Sequence, residues 1–331
     1  MRRISNITRR RLLQASAAAL AAPAIGSAAL AQSAWPNRPV RVVVPYPPAG
    51  GADTTARLLF NKLGELWGAQ FIIDNRGGAG GTIAAAAVAK ADPDGYTIMH
   101  DATAHSVNHA LYSNLSFNYT KDFAPVFLAS LVPNILVANN GVTDKTLADV
   151  IETAKKTPGG IDFASSGNGT LQHLSLEMLK HMGKAPINHV PYRGGGPALN
   201  DIVGGQIKYY FSNGSASVGL IQGGKVKPIV HTGKGRLGTL PDLPAAQDTI
   251  PGFEAYEWNG VFVPVGTPSD IVKKLNAGLN EVLRQPDIVA RLKQLNIDSR
   301  ANTPDEFRAF VAEETVKWGK VVRDAGIKLG S

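Results

Sequence analysis

Short runs of β-branched residues alternate along this chain with stretches whose apolar residues recur every three or four positions. That alternation predicts βαβ units around parallel strands. Val40-Arg41-Val42-Val43-Val44 reads as a buried strand ended by Pro45, Pro47 and Pro48. Ala56, Leu59, Phe60, Leu63 and Leu66 then share one face of a helix running to about Trp67, with Asp53 expected as its cap. A second strand is expected at 71–73, an Ala-rich helix from the glycines at 77–81 to Ala91, a turn at Asp92-Pro93-Asp94-Gly95 and a third strand at 96–99.

The apolar stretch 126–138 is long for one strand and contains Pro133, so two short strands or a crossing between lobes are expected there. A second α/β series follows, with helices at 147–156, 170–182, 197–204 and 216–222 and strands at 161–164, 187–190, 208–211 and 226–231. The polar, proline-rich stretch 235–252 has little periodicity and suits a return connection, and 260–265 reads as a strand. Three helices start near Pro268, Pro286 and Pro304, each proline suited to a first helical turn. In the last of them the apolar face is expected to carry Phe307, Phe310, Val311, Val316, Trp318 and Val321. The expectation is an α/β protein of two lobes, each with a mostly parallel sheet. Residues 32–134 and 251–331 would form one lobe and 135–250 the other, with a cleft between them.

The amino terminus changes the charge picture. Arg2, Arg3, Arg9, Arg10 and Arg11 precede an Ala-rich apolar run at 12–30 that closes on Ala29-Leu30-Ala31, the pattern of a cleaved signal peptide spanning 1–31. Thr8-Arg9-Arg10-Arg11-Leu12-Leu13 resembles a twin-arginine export signal, with general secretion as the alternative. Removing five arginines from a formal net charge of +8 leaves +3 on the remaining 300 residues, so the basic balance belongs largely to the leader. No lysine or arginine block suggests nucleic-acid binding. With no cysteine in the chain, disulfides, thiolate metal sites and a lipidated anchor are excluded, and a soluble periplasmic product is expected.

Three glycine-rich turns follow expected strands and open expected helices: 47–53, 77–81 and 165–170. Glycine lets backbone amides approach a ligand, and a helix start adds unpaired N–H groups, so such turns hold carboxylates or phosphates without a cationic side chain. None matches a nucleoside-triphosphate loop, and 77–81 lacks the full dinucleotide pattern. His100, Asp101, His105 and His109 lack a metalloprotease-type spacing, so no metal is expected. Ser165 or Ser166 with His173 lacks the nucleophile elbow of a hydrolase.

In order along the chain come Trp35-Pro36, Pro39-Val40-Arg41-Val42-Val43-Val44-Pro45, Pro48-Ala49-Gly50-Gly51-Ala52-Asp53, Asp74-Asn75-Arg76-Gly77-Gly78-Ala79-Gly80-Gly81 and Ala91-Asp92-Pro93-Asp94-Gly95-Tyr96. They continue with Ser166-Gly167-Asn168-Gly169-Thr170, His189-Val190-Pro191-Tyr192-Arg193-Gly194, Leu240-Pro241-Asp242-Leu243-Pro244 and Gly266-Thr267-Pro268. This ordered set resembles the extracytoplasmic receptors of tripartite tricarboxylate transporters, the Bug family. The resemblance implies a Venus-flytrap fold closing on a small carboxylate held by main-chain amides and hydroxyls. It implies no enzymatic activity and no cofactor, a monomer, and delivery to transporter subunits in the cytoplasmic membrane. A ligand-presenting subunit for a sensor kinase and a periplasmic hydrolase are the alternatives. Carried onto this chain, the ligand-binding positions are Gly50, Gly51, Asp53, Ser166, Asn168, Gly169, Thr170 and His173, with Thr103, Tyr46, Ser212 and Asn213 as further lining residues. The family commonly has an acidic residue near Phe211, where this chain has Ser212-Asn213-Gly214. That departure implies less negative charge at the cleft, counts against a ligand bearing an amino group and favours a dianionic one.

Overall fold

Each run of β-branched residues becomes a strand because it has helices to bury it on both sides. The computed structural model describes residues 35–48, 50–295 and 297–327, so residues 1–34 with the expected leader, Ala49, Asn296 and the last four residues lie outside the described residues. The unit Arg38–Ser331 holds every element below.

β1 (Val40–Val44) is flanked in parallel by β2 (Phe71–Asn75) and β3 (Thr97–Ala102). β5 (Ile161–Ser165) is flanked in parallel by β6 (Ile187–Pro191) and β7 (Tyr209–Asn213). Two antiparallel strands join these triplets. β4 (Phe123–Ala138) pairs over its first part with β9 (Tyr256–Pro264), which in turn pairs with β3. Over its last five residues β4 pairs with β7 on one edge and β8 (Lys227–His231) on the other. The order is therefore β2-β1-β3-β9-β4-β7-β5-β6, with β8 beside β4.

The stretch around Pro133 is thus one 16-residue strand that crosses from one half of the sheet to the other, not two short ones. Pro133 is tolerated because it falls where the partner changes, opposite Tyr256, the first residue of β9. Buried Asn134 and Thr232 secure this crossing: Asn134 N–H donates to Thr232 Oγ1 at 2.9 Å, and Asn134 Nδ2 donates to Ser175 Oγ at 3.1 Å.

Local signals place the helices. Thr146 caps the Leu147–Lys156 helix by accepting from Asp149 N–H while Asp149 reaches back to Thr146 N–H. Thr303 and Glu306 form the same reciprocal cap on the Pro304–Asp324 helix. Pro286 and Pro304 sit in the first turns of their helices, whereas Pro268 is the residue before Ser269–Val282. The last helix packs along both cores. Phe307 and Val311 enter the core of the first half, and Trp318 and Val322 that of the second. Val316 is 72 % exposed, contrary to the sequence expectation, because nine residues beyond Phe307 is about half a revolution away. Glu314 takes the buried position, receiving Trp318 Nε1–H at 2.7 Å.

Candidate functional site

Four helices begin where four strands end. The Gly51–Trp67 helix follows β1, with Gly50 at its cap, and the Ala104–Leu111 helix follows β3, with Thr103 at its cap. The Leu171–Met182 helix follows β5, capped by Thr170, and the Gly214–Gln222 helix follows β7, capped by Asn213. Two come from each half of the sheet, and residues at all four starts line one cleft of about 440 Å³. Unpaired amides and partial positive charge at such helix starts favour an anion. Among the described residues, no lysine, arginine or histidine lines this cleft.

The turn after β5 is shaped by glycine. Gly169 has φ +75°, a conformation side-chain-bearing residues rarely adopt. Its N–H donates to His173 Nδ1 at 3.0 Å, while Thr170 Oγ1 donates to Gly167 O at 2.7 Å. Ser166 Oγ shares a 2.7 Å hydrogen bond with Tyr210 Oη. Asn168 is exposed at the tip, and its side chain has no hydrogen-bond partner among the described residues. Behind the turn, His173 is pushed down to about 3 by burial first and then by His189 and Lys180, so its ring stays neutral and can accept the Gly169 amide.

On the opposite wall, Tyr46 Oη donates to Asp101 Oδ1 at 2.9 Å. The same oxygen of Asp101 accepts the Ala102 N–H at 2.8 Å, and Oδ2 lies 3.0 Å from His105 Nδ1. Burial, then Asp101, raises the Tyr46 hydroxyl well above its ordinary value, which keeps its proton on the Asp101 bond. His105 is fixed in turn by stacking on Phe262, with ring centroids 3.8 Å apart.

Of the residues expected at the site, Tyr46, Gly51, Thr103, Ser166, Asn168, Gly169, Thr170 and Asn213 come together around the cleft. Gly50 borders an adjoining space of about 300 Å³ that shares Tyr46 and Gly51. Asp53, His173 and Ser212 stand behind the wall. Asp53 is buried in the first helical turn, where it pairs with Arg57 at 2.9 Å; the cap is Gly50, without a side-chain bond. His173 supports the Gly169 turn from the rear, and Ser212 is fully buried. The Thr103 hydroxyl is engaged with β9, accepting from Trp258 N–H at 3.0 Å.

The histidines near β3 do not converge. His100 is fully buried against Phe60, with neither ring nitrogen hydrogen-bonded among the described residues, while His105 faces Asp101. Ser165 contacts His189 Nε2 at 2.6 Å, not His173, and is sealed in the interior.

Glu257 is a cleft residue that the sequence motifs do not mark. It lines the cleft from β9, and its Oε2 accepts from Asn213 Nδ2 at 2.9 Å and Gln172 Nε2 at 3.2 Å. The expectation of little negative charge beside Ser212-Asn213-Gly214 is therefore not met: a carboxylate reaches Asn213 from 44 residues further along the chain. The available signal was the alternation Tyr256-Glu257-Trp258, which continues the strand expected from Gly260 backwards.

Comparison with known proteins agrees with this geometry. A family model described as "Tripartite tricarboxylate transporter family receptor" matches residues 55–327. The "UPF0065 protein in tcbD-tcbE intergenic region" of Pseudomonas sp. (strain P51) is 36 % identical over 321 residues, covering 96 % of this chain and 95 % of its own. Among solved structures, "R. palustris Rpa4515 with adipate" is 34 % identical with a TM-score of 0.79, covering 89 % of this chain and all of the other. "MatC (Rpa3494) from Rhodopseudomonas palustris with bound malate" is also 34 % identical, with a TM-score of 0.75, covering 87 % of this chain and all of the other.

Proposed function

Because this chain belongs to the tripartite tricarboxylate transporter receptor family, we propose that it is a periplasmic receptor that captures a small carboxylate and delivers it to transporter subunits in the cytoplasmic membrane. One observation carries the reading: helix starts and glycine-turn amides from both halves of the sheet border a single cleft that, among the described residues, has no cationic side chain. A carboxylate there would be paired with N–H and O–H donors rather than with a lysine or arginine, which suits a ligand that must be released again.

In this reading the ligand docks first on the turn 166–170, where Asn168 is free to donate and the Leu171–Met182 helix presents its first amides. The lobe formed by 38–134 and 251–327 then closes over it against 135–250, the hinge-type response of two-lobed binding proteins. Gly50, Gly51, Tyr46 and Thr103 contribute the facing wall. Residues 1–31 would direct export, and the protein would act without catalysis. Adipate and malate in the two relatives support a small dicarboxylate as the class of ligand.

The experiment is a thermal-shift screen over mono-, di- and tricarboxylates, aromatic ones included, followed by calorimetry and chromatography of the recovered ligand. A raised melting temperature with ligand returned intact is expected. No stabilisation by any carboxylate, or its chemical conversion, would overturn the assignment.

A further inference from the structure

Among the described residues that line the cleft one carboxylate, Glu257, stands beside the donors and constrains the ligand. Strand alternation on β9 turns Trp258 into the core and leaves Glu257, its neighbour, facing the cleft. Glu257 Oε2 is held by the amides of Asn213 and Gln172, which fixes the plane of the carboxylate. Oε1 accepts no hydrogen bond, and no cation pairs with Glu257, among the described residues. Tyr46 borders the same space, and since its hydroxyl donates to Asp101 it presents only lone pairs. Glu257 Oε1 and the Tyr46 lone pairs are therefore open acceptors set beside helix starts that offer donors.

We propose that Glu257 makes this a receptor for carboxylates that also carry a hydrogen-bond donor, a hydroxyl or an ammonium group, in preference to the unsubstituted acids. The inference rests on the carboxylate-receptor reading and narrows it. A ligand carboxylate docked on the amides leaves the remainder of the molecule against Glu257 and Tyr46. A hydroxyl or ammonium group there satisfies the open acceptors. A second carboxylate directed at the same wall meets a like charge in a partly dehydrated space. Sites built around a ligand O–H or N–H reject analogues lacking it, because the protein group is then left unpaired.

A purely structural role for Glu257, as a tie between β9 and the Asn213 and Gln172 side chains, would affect all ligands alike. The two roles separate in Glu257→Gln. That side chain can keep its carbonyl oxygen toward Asn213 and Gln172 while turning an NH₂ donor to the cleft, which reverses the character of the wall without changing its shape. The test is calorimetry on matched sets: succinate, malate and aspartate; adipate and 2-aminoadipate; benzoate and 3-hydroxybenzoate. Melting curves check that the variant is folded. In the wild-type protein a donor-bearing member should bind at least about tenfold more tightly than its parent acid, and in Glu257→Gln that ratio should collapse or invert. Parent acids that bind as tightly as their substituted forms, or a ratio unchanged in the variant, would overturn the inference while leaving the carboxylate receptor standing. Absence of binding by every acid would instead remove the receptor reading on which it rests.

Discussion

The rings of His173 and His189 lie face to face, with centroids 3.8 Å apart and planes 10° from parallel. Two stacked imidazoles cannot both be protonated without direct repulsion, and each is already lowered by burial. His173 also uses Nδ1 to hold the Gly169 amide, so a proton there would break the turn.

This predicts an acid-sensitive fold. The ring of His173 titrates at about 3 in the folded protein, against roughly 6.5 when unfolded. The unfolded chain therefore binds the extra proton first. The contribution is present above pH ~6.5 and is lost as pH falls toward the folded value, by up to ~1.4 kcal/mol per pH unit. Urea midpoints between pH 7.5 and 5 should fall for the wild-type protein and fall less steeply for His173→Gln. Parallel slopes would show that this ring is not responsible.

Thr170→Val removes both the Thr170 cap and its bond to Gly167, so it should lower stability by about 1 kcal/mol without loss of cooperative folding. It should also weaken carboxylate binding, since the turn 166–170 loses its closing hydrogen bond. Unchanged affinity by calorimetry would take Thr170 out of the site.

Asn168→Ala gives the complementary result. The side chain is exposed and bonded to nothing among the described residues, so the melting curve should shift by less than the equivalent of ~0.5 kcal/mol. Affinity for the bound carboxylate should nevertheless drop. A variant with wild-type affinity would place the ligand away from the turn tip.

Gly260→Ala tests the packing that carries the cleft. A methyl group at this position of β9 would lie 2.1 Å from Phe307 Cζ, inside a close-packed core. A loss of about 1–3 kcal/mol is expected from overpacking, and Phe307→Leu should relieve part of it in the double variant. Additive losses measured by urea denaturation would show that the two positions do not press on each other.

Much of the architecture was readable because its determinants are local. Thr146 with Asp149, Thr303 with Glu306, and the prolines at 286 and 304 mark helix starts through neighbouring residues. The turns 47–53 and 165–170 were likewise visible, and the fold brings them to one cleft. What escaped depends on distant partners. At Pro133 the sequence leaves two short strands and a crossing open, and only the exchange of β9 for β8, which makes a proline acceptable there, decides for one continuous crossing strand. Val316 was misplaced by apolarity alone, since a buried Glu314 paired with Trp318 carries the stripe instead. Glu257 gained its meaning only when folding brought Asn213 and Gln172 to it.

β4 belongs to both halves of the sheet at once, bonded to β9 along its first part and to β7 and β8 along its last. Such a strand acts as a leaf spring: a change of angle between the halves is spread as twist along a hydrogen-bonded ribbon and is resisted elastically. Neither half can unravel without stripping the other of an edge, so a single melting transition is expected for the two.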